Sequence, residues 1–301
     1  MKTLTNTSLK HLFVATLGTA VAMFSIAGYA GEEIDQTLAM PADGLVQVEN
    51  LAGNIEFVSW DQAEVQIKGE AGDDVEEVEI TSTSNGVLIR IHNKKGNRHV
   101  DGTDLYLRVP VAASIEADSV SADISVDGSH GESVLLNTVS GDLEIDASPQ
   151  QMELHSVSGD VEFEGSVGRS SVETVSGEIV LNGPSGEVSI STVSGDVSLE
   201  AGEVARGKFE SVSGDMTLSL SLGEGGRLSC DSMSGDVQLR LPASQQAEFT
   251  AQSYSGNINS DFGKSASVSK GPGVMLRHRE GDNGAQIRLE TFSGDVSIRT
   301  K

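Results

Sequence analysis

The sequence predicts an all-β fold, a parallel β-solenoid with about 18–21 residues per coil. Three observations predict it: a short motif repeated at near-constant spacing, period-2 alternation on both sides of that motif, and no helical periodicity of any length. The tetrad Ser-Gly-Asp-apolar, or a close variant, recurs with its Gly at Gly141, Gly159, Gly177, Gly195, Gly214, Gly235, Gly256 and Gly294. Successive spacings are 18, 18, 18, 19, 21, 21 and 38, the last equal to two periods. Degenerate copies precede these, with Ala122 in SADIS and Gly53 in LAGNIEF. Self-similarity at such a period is the mark of a repeat architecture.

Aligning the copies on the Ser exposes columns. Four residues before it stand Leu136, Leu154, Val172, Ile190, Phe209, Cys230, Ala251 and Leu289. Two before it there is always a small hydroxyl: Thr138, Ser156, Thr174, Thr192, Ser211, Ser232, Ser253 and Thr291. Directly before it come Val139, Val157, Val175, Val193, Val212, Met233, Tyr254 and Phe292. After the Gly, pairs such as Leu143/Ile145, Val161/Phe163 and Val197/Leu199 repeat the alternation. Each period therefore holds two short strands with one buried face apiece. The phase slips between the hydroxyl column and the following Val, which predicts a bend or bulge and turns that Val into the core. By the same alternation Ser198 points outward.

A unit this small cannot bury enough surface to fold alone, so the units must stack with like residues in register. At ~4.8 Å per coil, ten or more coils give a rod roughly 50–60 Å long. Right-handed winding is the default for parallel connections. Left-handed hexapeptide helices share the 18-residue coil, so both hands fit the spacing.

Residues 1–30 read as a signal peptide. Lys2 and Lys10 supply a positive start, Leu12 to Ile26 a mostly apolar run, and Gly28 and Ala30 small residues before a cut at Ala30/Gly31. No Cys follows the apolar run and no second apolar segment closes the chain, so the mature protein is expected to be exported and soluble, without a transmembrane anchor. Residues 31–114 read as irregular N-terminal β coils or hairpins that form a cap. Residues 115–301 read as the regular repeats, interrupted at 259–284 by a protruding loop or an imperfect coil.

Composition narrows the function. The chain has 301 residues, 45 Asp and Glu against 20 Lys and Arg, a formal charge of −25 and a pI near 4.4. Nucleic acid and anionic lipid are thus poor partners. One Cys excludes a disulfide framework and a multi-cysteine zinc site; Cys230 reads as a small core residue. No Gly-rich phosphate loop, HExxH or GxSxG is present. The histidines are scattered, and only His92, His99, Asp101 and Asp104 could converge on a loop as a metal site. The hydroxyl columns are ladder residues, because a nucleophile needs one base and one oxyanion site rather than eight copies.

The run Leu45–Trp60 (LVQVENLAGNIEFVSW), the strand Leu105–Pro110 and the serial VSGD-apolar copies resemble the bacterial β-strand-repeat "putative adhesin" family, a domain of unknown function. The resemblance spans essentially the whole mature chain. It implies an exported, envelope-associated, non-enzymatic protein, with some relatives among envelope-stress systems and no catalytic residues to carry over.

The most regular polar feature is the acid after each Gly: Asp142, Asp160, Glu178, Asp196, Asp215, Asp236 and Asp295, with Asn257 once. One reading is a ladder for a cationic peptide or Ca²⁺, since carboxylates are hard oxygen ligands. The other is a turn acid that accepts a backbone N–H, and this weighs more. Neighbouring carboxylates repel by under ~1 kcal/mol in water but by about 3 at an effective dielectric near 20, so an exposed row stands without metal and a buried one does not. No resident cofactor is expected. The sequence thus points to a periplasmic or cell-surface binding or scaffold protein. Its partner is an envelope polymer, peptide or protein, and its oligomeric state is open. The alternative is a β-helix polysaccharide lyase or hydrolase acting on an envelope glycan.

Overall fold

The computed structural model describes residues 23–26, 33–94, 102–267, 272–282 and 284–301. Among them there is no helix, and the strands form one continuous, largely parallel sheet system. The first part of the chain gives β1 (Met23–Ile26), β2 (Glu33–Ala39), β3 (Leu45–Trp60), β4 (Glu64–Glu70), β5 (Val75–Ser82), β6 (Gly86–Asn93), β7 (Asp104–Pro110) and β8 (Ser114–Asp127). The middle gives β9 (Ser133–Asn137), β10 (Leu143–Asp146), β11 (Gln151–His155), β12 (Val161–Glu164), β13 (Arg169–Glu173), β14 (Ile179–Asn182), β15 (Gly186–Ser194), β16 (Val197–Ser213) and β17 (Met216–Ser234). The last part gives β18 (Val237–Leu241), β19 (Ala247–Ser253), β20 (Ile258–Ser260), β21 (Ala266–Ser267), β22 (Val274–Glu280), β23 (Ala285–Ser293) and β24 (Val296–Thr300). Most of the predicted signal peptide lies outside the described residues; the backbone of β1 pairs antiparallel with β5.

Each repeat meets the next strand for strand, parallel and in register. Before the Ser, Leu136 pairs with Leu154, Leu154 with Val172, Val172 with Ile190, Ile190 with Phe209 and Phe209 with Cys230. After the Gly, Val126, Ile145, Phe163, Leu181, Leu199, Leu218 and Leu239 form a second such file. All of these side chains are buried. This stacking of like upon like makes the molecule solenoid-like, with one apolar core running through it.

One expectation fails. Val193 and its equivalents do not enter the core: Val193 is 45% exposed, whereas Thr192 before it is 3% exposed. The bend lies where the sequence places it, but the alternation runs unbroken through the hydroxyl, and Val and Ser then both sit outside the corner. Hydrogen bonding explains the choice. In two coils the inward hydroxyl serves a backbone group that the bend would otherwise strand: Gly141 N–H donates to Thr138 Oγ1 (3.1 Å) and Gly159 N–H to Ser156 Oγ (2.9 Å), whereas the amides of Gly195, Gly214 and Gly235 donate to carbonyls of the next coil. A Val inside the corner could accept nothing, and an unmet buried amide costs more than an exposed Val. The outward Ser closes the corner from the other side, as Ser158 Oγ donates to the Val139 carbonyl of the coil before (3.2 Å).

Chain order and stack order part company at both ends. Leu45–Trp60 pairs along its length with Ser114–Asp127, so β3 is a coil of the regular stack. The later strands β6 and β7 lie on its other side, parallel to it. Antiparallel strands then finish that end, β5 on β6, and β4 followed by β2 on β7. At the far end β23 lies between β17 and β19, and β24 between β18 and β20. The copy at Gly294 therefore slots between the copies at Gly235 and Gly256. Residues 259–284 supply β22, which covers β19 antiparallel. Antiparallel strands thus close the near end on both β6 and β7 and the far end on β19, a protection against edge-to-edge association.

Two outcomes follow for stability. Gly177 has φ +137°, and a Cβ there would overlap the Gly159 carbonyl of the coil below. Gly177→Ala should lose about 1–3 kcal/mol in denaturant melts. Gly168→Ala, where the nearest atom lies 3.7 Å from the added carbon, should be neutral or gain up to about 1 kcal/mol. The second outcome separates the faces of one strand: Ile190→Asp should cost more than about 4 kcal/mol and Val193→Asp at most about 1. Equal losses for those two would refute the outward placement of the Val row.

Candidate functional site

Stacking in register turns every outward position into a row. The residue before each Ser forms an apolar ridge of Val120, Val139, Val157, Val175, Val193, Val212, Met233, Phe292 and Tyr254, each 41–62% exposed. The order follows the stack, so Phe292 precedes Tyr254, and their rings lie 5.8 Å apart between centroids. Leu51, half-buried, starts the row beside Val120. A contiguous apolar strip of this length on an acidic protein marks an interaction surface.

A row of acids flanks the ridge on one side, and a mixed polar row, in which Asn137, His155, Ser191 and Gln252 stand among acids, flanks it on the other. On one side runs the acid after each Gly, every member exposed except the half-buried Asp295. One oxygen of each aspartate is engaged by the next coil. The N–H of Asp160 donates to Asp142 Oδ1 (2.9 Å), that of Glu178 to Asp160 (2.7 Å), and that of Asp215 to Asp196 (2.8 Å). The row continues from Asp215 to Asp236, Asp236 to Asp295, and Asp295 to Asn257. It starts at Asp123, whose Oδ1 accepts from Asp142 N–H. Glu178, one methylene longer, receives no such bond from Asp196 among the described residues. Short acids are therefore required as corner hydrogen-bond acceptors, while their charges remain at the surface.

The other flank is the outward residue three before the Ser, including Glu49, Asp118, Glu173, Glu210, Asp231 and Glu290. Here partners are mixed. Asn137 Nδ2 donates to Asp118 Oδ1 (2.8 Å), and His155 reaches Glu153 (2.9 Å) and Glu173 (3.6 Å). Arg90 bridges Glu49 (2.6 Å) and Glu79 (3.4 Å). The Arg90 hydrogen bond holds the Glu49 carboxyl below its ordinary pKa.

The remaining candidates do not converge. His92 pairs with Glu79 (3.0 Å), and Asp104 accepts the N–H of Asn54 (3.0 Å); His99 and Asp101 lie outside the described residues. Among the described residues, no three His, Cys, Asp or Glu side chains gather as a metal site. Cys230 is fully buried, its Sγ 3.9 Å from Met216 Sδ, and burial pushes its thiol pKa up. Among the buried hydroxyls, Thr174 Oγ1 donates to Thr192 Oγ1 (3.1 Å), while Ser170, Ser211 and Ser232 have no hydrogen-bond partner among the described residues. No helix among the described residues is long and apolar enough to cross a membrane.

Sequence reasoning located the acid row but not the ridge, because an apolar residue in a repeat reads as core. The signal was the hydroxyl beside it: of two neighbours competing for the inside of a bend, the one able to accept a hydrogen bond enters.

Among solved structures, a putative adhesin from Bacteroides fragilis matches with a TM-score of 0.44 and 14% identity, over 90% of this chain and 97% of that one. A putative cell adhesion protein from Clostridium sporogenes matches with a TM-score of 0.28 and 10% identity, over 90% of this chain and 100% of that one. No curated protein matches the chain. The family model Toastrack DUF4097 matches residues 43–224 and 180–299, nearly all of the stack, and the chain belongs to that family.

Proposed function

We propose that this chain is an exported, non-enzymatic binding or scaffold protein of the cell envelope, adhesin-like in role and linked to envelope stress. The observation that carries the reading is the ridge: one apolar side chain per coil, held out in the open between a row of acids and a mixed polar row. A surface built by repetition offers many equal small contacts, which suits an extended partner. Asp142, Asp160, Glu178, Asp196, Asp215, Asp236 and Asp295 give the ridge its charge complement, so an amphipathic cationic peptide fits it, with Ca²⁺ as a weaker ligand of the same row. Export to the periplasm or cell surface is supported by the amino-terminal pattern. We read the stack as a parallel solenoid of about 18–21 residues per coil, right-handed by the rule for parallel connections.

Titration calorimetry of a polycationic amphipathic peptide tests the site. Binding should weaken with salt, since the Debye length is about 8 Å at 0.15 M. It should fall sharply when Asp142, Asp160, Asp196, Asp215 and Asp236 are replaced by Asn, which keeps the corner acceptor and removes the charge. Replacing Val157, Val175 and Val193 by Ser should weaken binding without lowering the melting temperature by more than a few degrees. Unchanged affinity in both variants would leave the acids as corner chemistry alone.

The second reading, a lyase or hydrolase, gains one observation: a groove on the outer strand face lined by Arg169, Glu187, Arg206, Lys208, Arg227 and Arg288. Incubation with pectin, alginate and peptidoglycan should release neither reducing ends nor unsaturated products. Turnover abolished by a single substitution in the groove would put the enzyme reading first.

A further inference from the structure

We infer that the groove on the outer face of β13, β15, β16, β17, β23 and β19 is a binding site for a linear polysaccharide bearing carboxylates. It is a different surface from the ridge, and its reading stands or falls separately. The groove encloses about 1010 Å³ and crosses six neighbouring strands. At ~4.8 Å between strands it spans roughly 24 Å along the stack.

Its charge opposes that of the molecule. The chain carries 45 acids to 20 bases, yet Arg169, Arg206, Lys208, Arg227 and Arg288 line the groove against Glu187 and Glu248 alone. Internal pairing leaves a surplus. Arg169 and Arg206 share Glu187 (3.2 and 3.3 Å), Lys208 reaches Glu210 (2.9 Å) and Arg288 reaches Glu290 (2.8 Å). Glu248 is taken by Arg279 (2.8 Å). Arg227 has no ion pair or side-chain hydrogen bond among the described residues. It is nevertheless the direct register partner of Arg206 on the neighbouring strand. Like charges placed directly across a strand pair are destabilising, and a carboxylate seated between these two guanidiniums would relieve that.

The other lining groups choose among anions. Ser171, Ser189 and Thr250 offer hydroxyls between the cations, as a polyol chain requires, while the Ser229 hydroxyl donates to Asp231 Oδ2 (2.9 Å). No aromatic residue lines the groove, so there is no platform on which bases could stack. A polymer with one carboxylate per ring can meet the cations that β13, β16, β17 and β23 set along the groove.

The test uses the full chain with polygalacturonate and alginate oligomers, dextran as the neutral control, and polyuridylate as the competing polyanion. Calorimetry should show binding of the two uronates that weakens with salt, and no binding of dextran. Arg206→Gln with Arg227→Gln should weaken uronate binding about tenfold or more per charge-assisted bond lost. Arg227→Lys should retain most of it. The melting temperature of the double variant should hold or rise, because repulsion is removed, and uronate should raise the melting temperature of the native chain but not that of the double variant. The variant with five Asn in the acid row should bind uronate as well as the native chain or better, which keeps this result independent of the ridge. Absence of uronate binding, equal binding by the double variant, or tighter binding of polyuridylate would each overturn the inference.

Discussion

Everything in this structure depends on parallel pairing in register from one coil to the next. That pairing sets each residue beside its counterpart about one period away, so a residue type is chosen for how it tolerates its own kind as neighbour. Leu, Val, Ile and Phe tolerate it inside, where like side chains fill one file without voids. Gly tolerates it at the corner, where backbone meets backbone. Acids tolerate it only outside, where water screens them. At Gly141 and Gly159 the corner joins these demands: the hydroxyl inside accepts the Gly N–H, and the aspartate outside accepts the N–H of the next coil. Both hydrogen bonds need short side chains, which is why the motif varies so little.

The same rule governs what was legible in the sequence. The period, the two strands and the inward files at Leu154 or Phe163 could be read directly, since like apolar residues alternating with polar ones mark the buried face of a strand. The acid row was legible too, and so was its corner role, for Asp and Asn257 share the acceptor that the position needs. The Val row was misread because hydropathy alone could not weigh an exposed Val against a stranded Gly amide. Stack order at the ends was hidden for another reason. Identical motifs carry no information about which copy sits beside which, and nothing in the tetrad at Gly294 distinguishes a place after Gly256 from a place before it. The groove was in principle readable: seven residues before the Ser, Arg169, Glu187, Arg206 and Arg227 form a column whose sign departs from the rest of the chain.

Ridge and groove are consequences of one strand seen at two depths. On β16, Lys208 and Arg206 face the groove while Val212 stands on the ridge; four residues of extended chain, about 13 Å, separate the Lys and Val columns. Contrasting surfaces can sit this close because each row is uniform along the stack and changes only from one column to the next. The cationic cluster is the exception, confined to four of the six strands that line the groove, and this confinement gives it the character of a site rather than a texture.

The insertion of β23 and β24 between earlier strands bears on how the molecule is made. A stack laid down in chain order could grow like a zipper, each coil docking on the last as it emerges. Here the coil of residues 247–260 cannot take its final place until residues 285–300 have arrived to separate it from β17 and β18. The interior of that end is thus assembled from the outside of the sequence inward, through contacts of long separation that form late. During that interval β17 presents an unpaired parallel edge, and the time for which it stays open is set by the rate at which the remaining chain is delivered rather than by the chemistry of the edge itself.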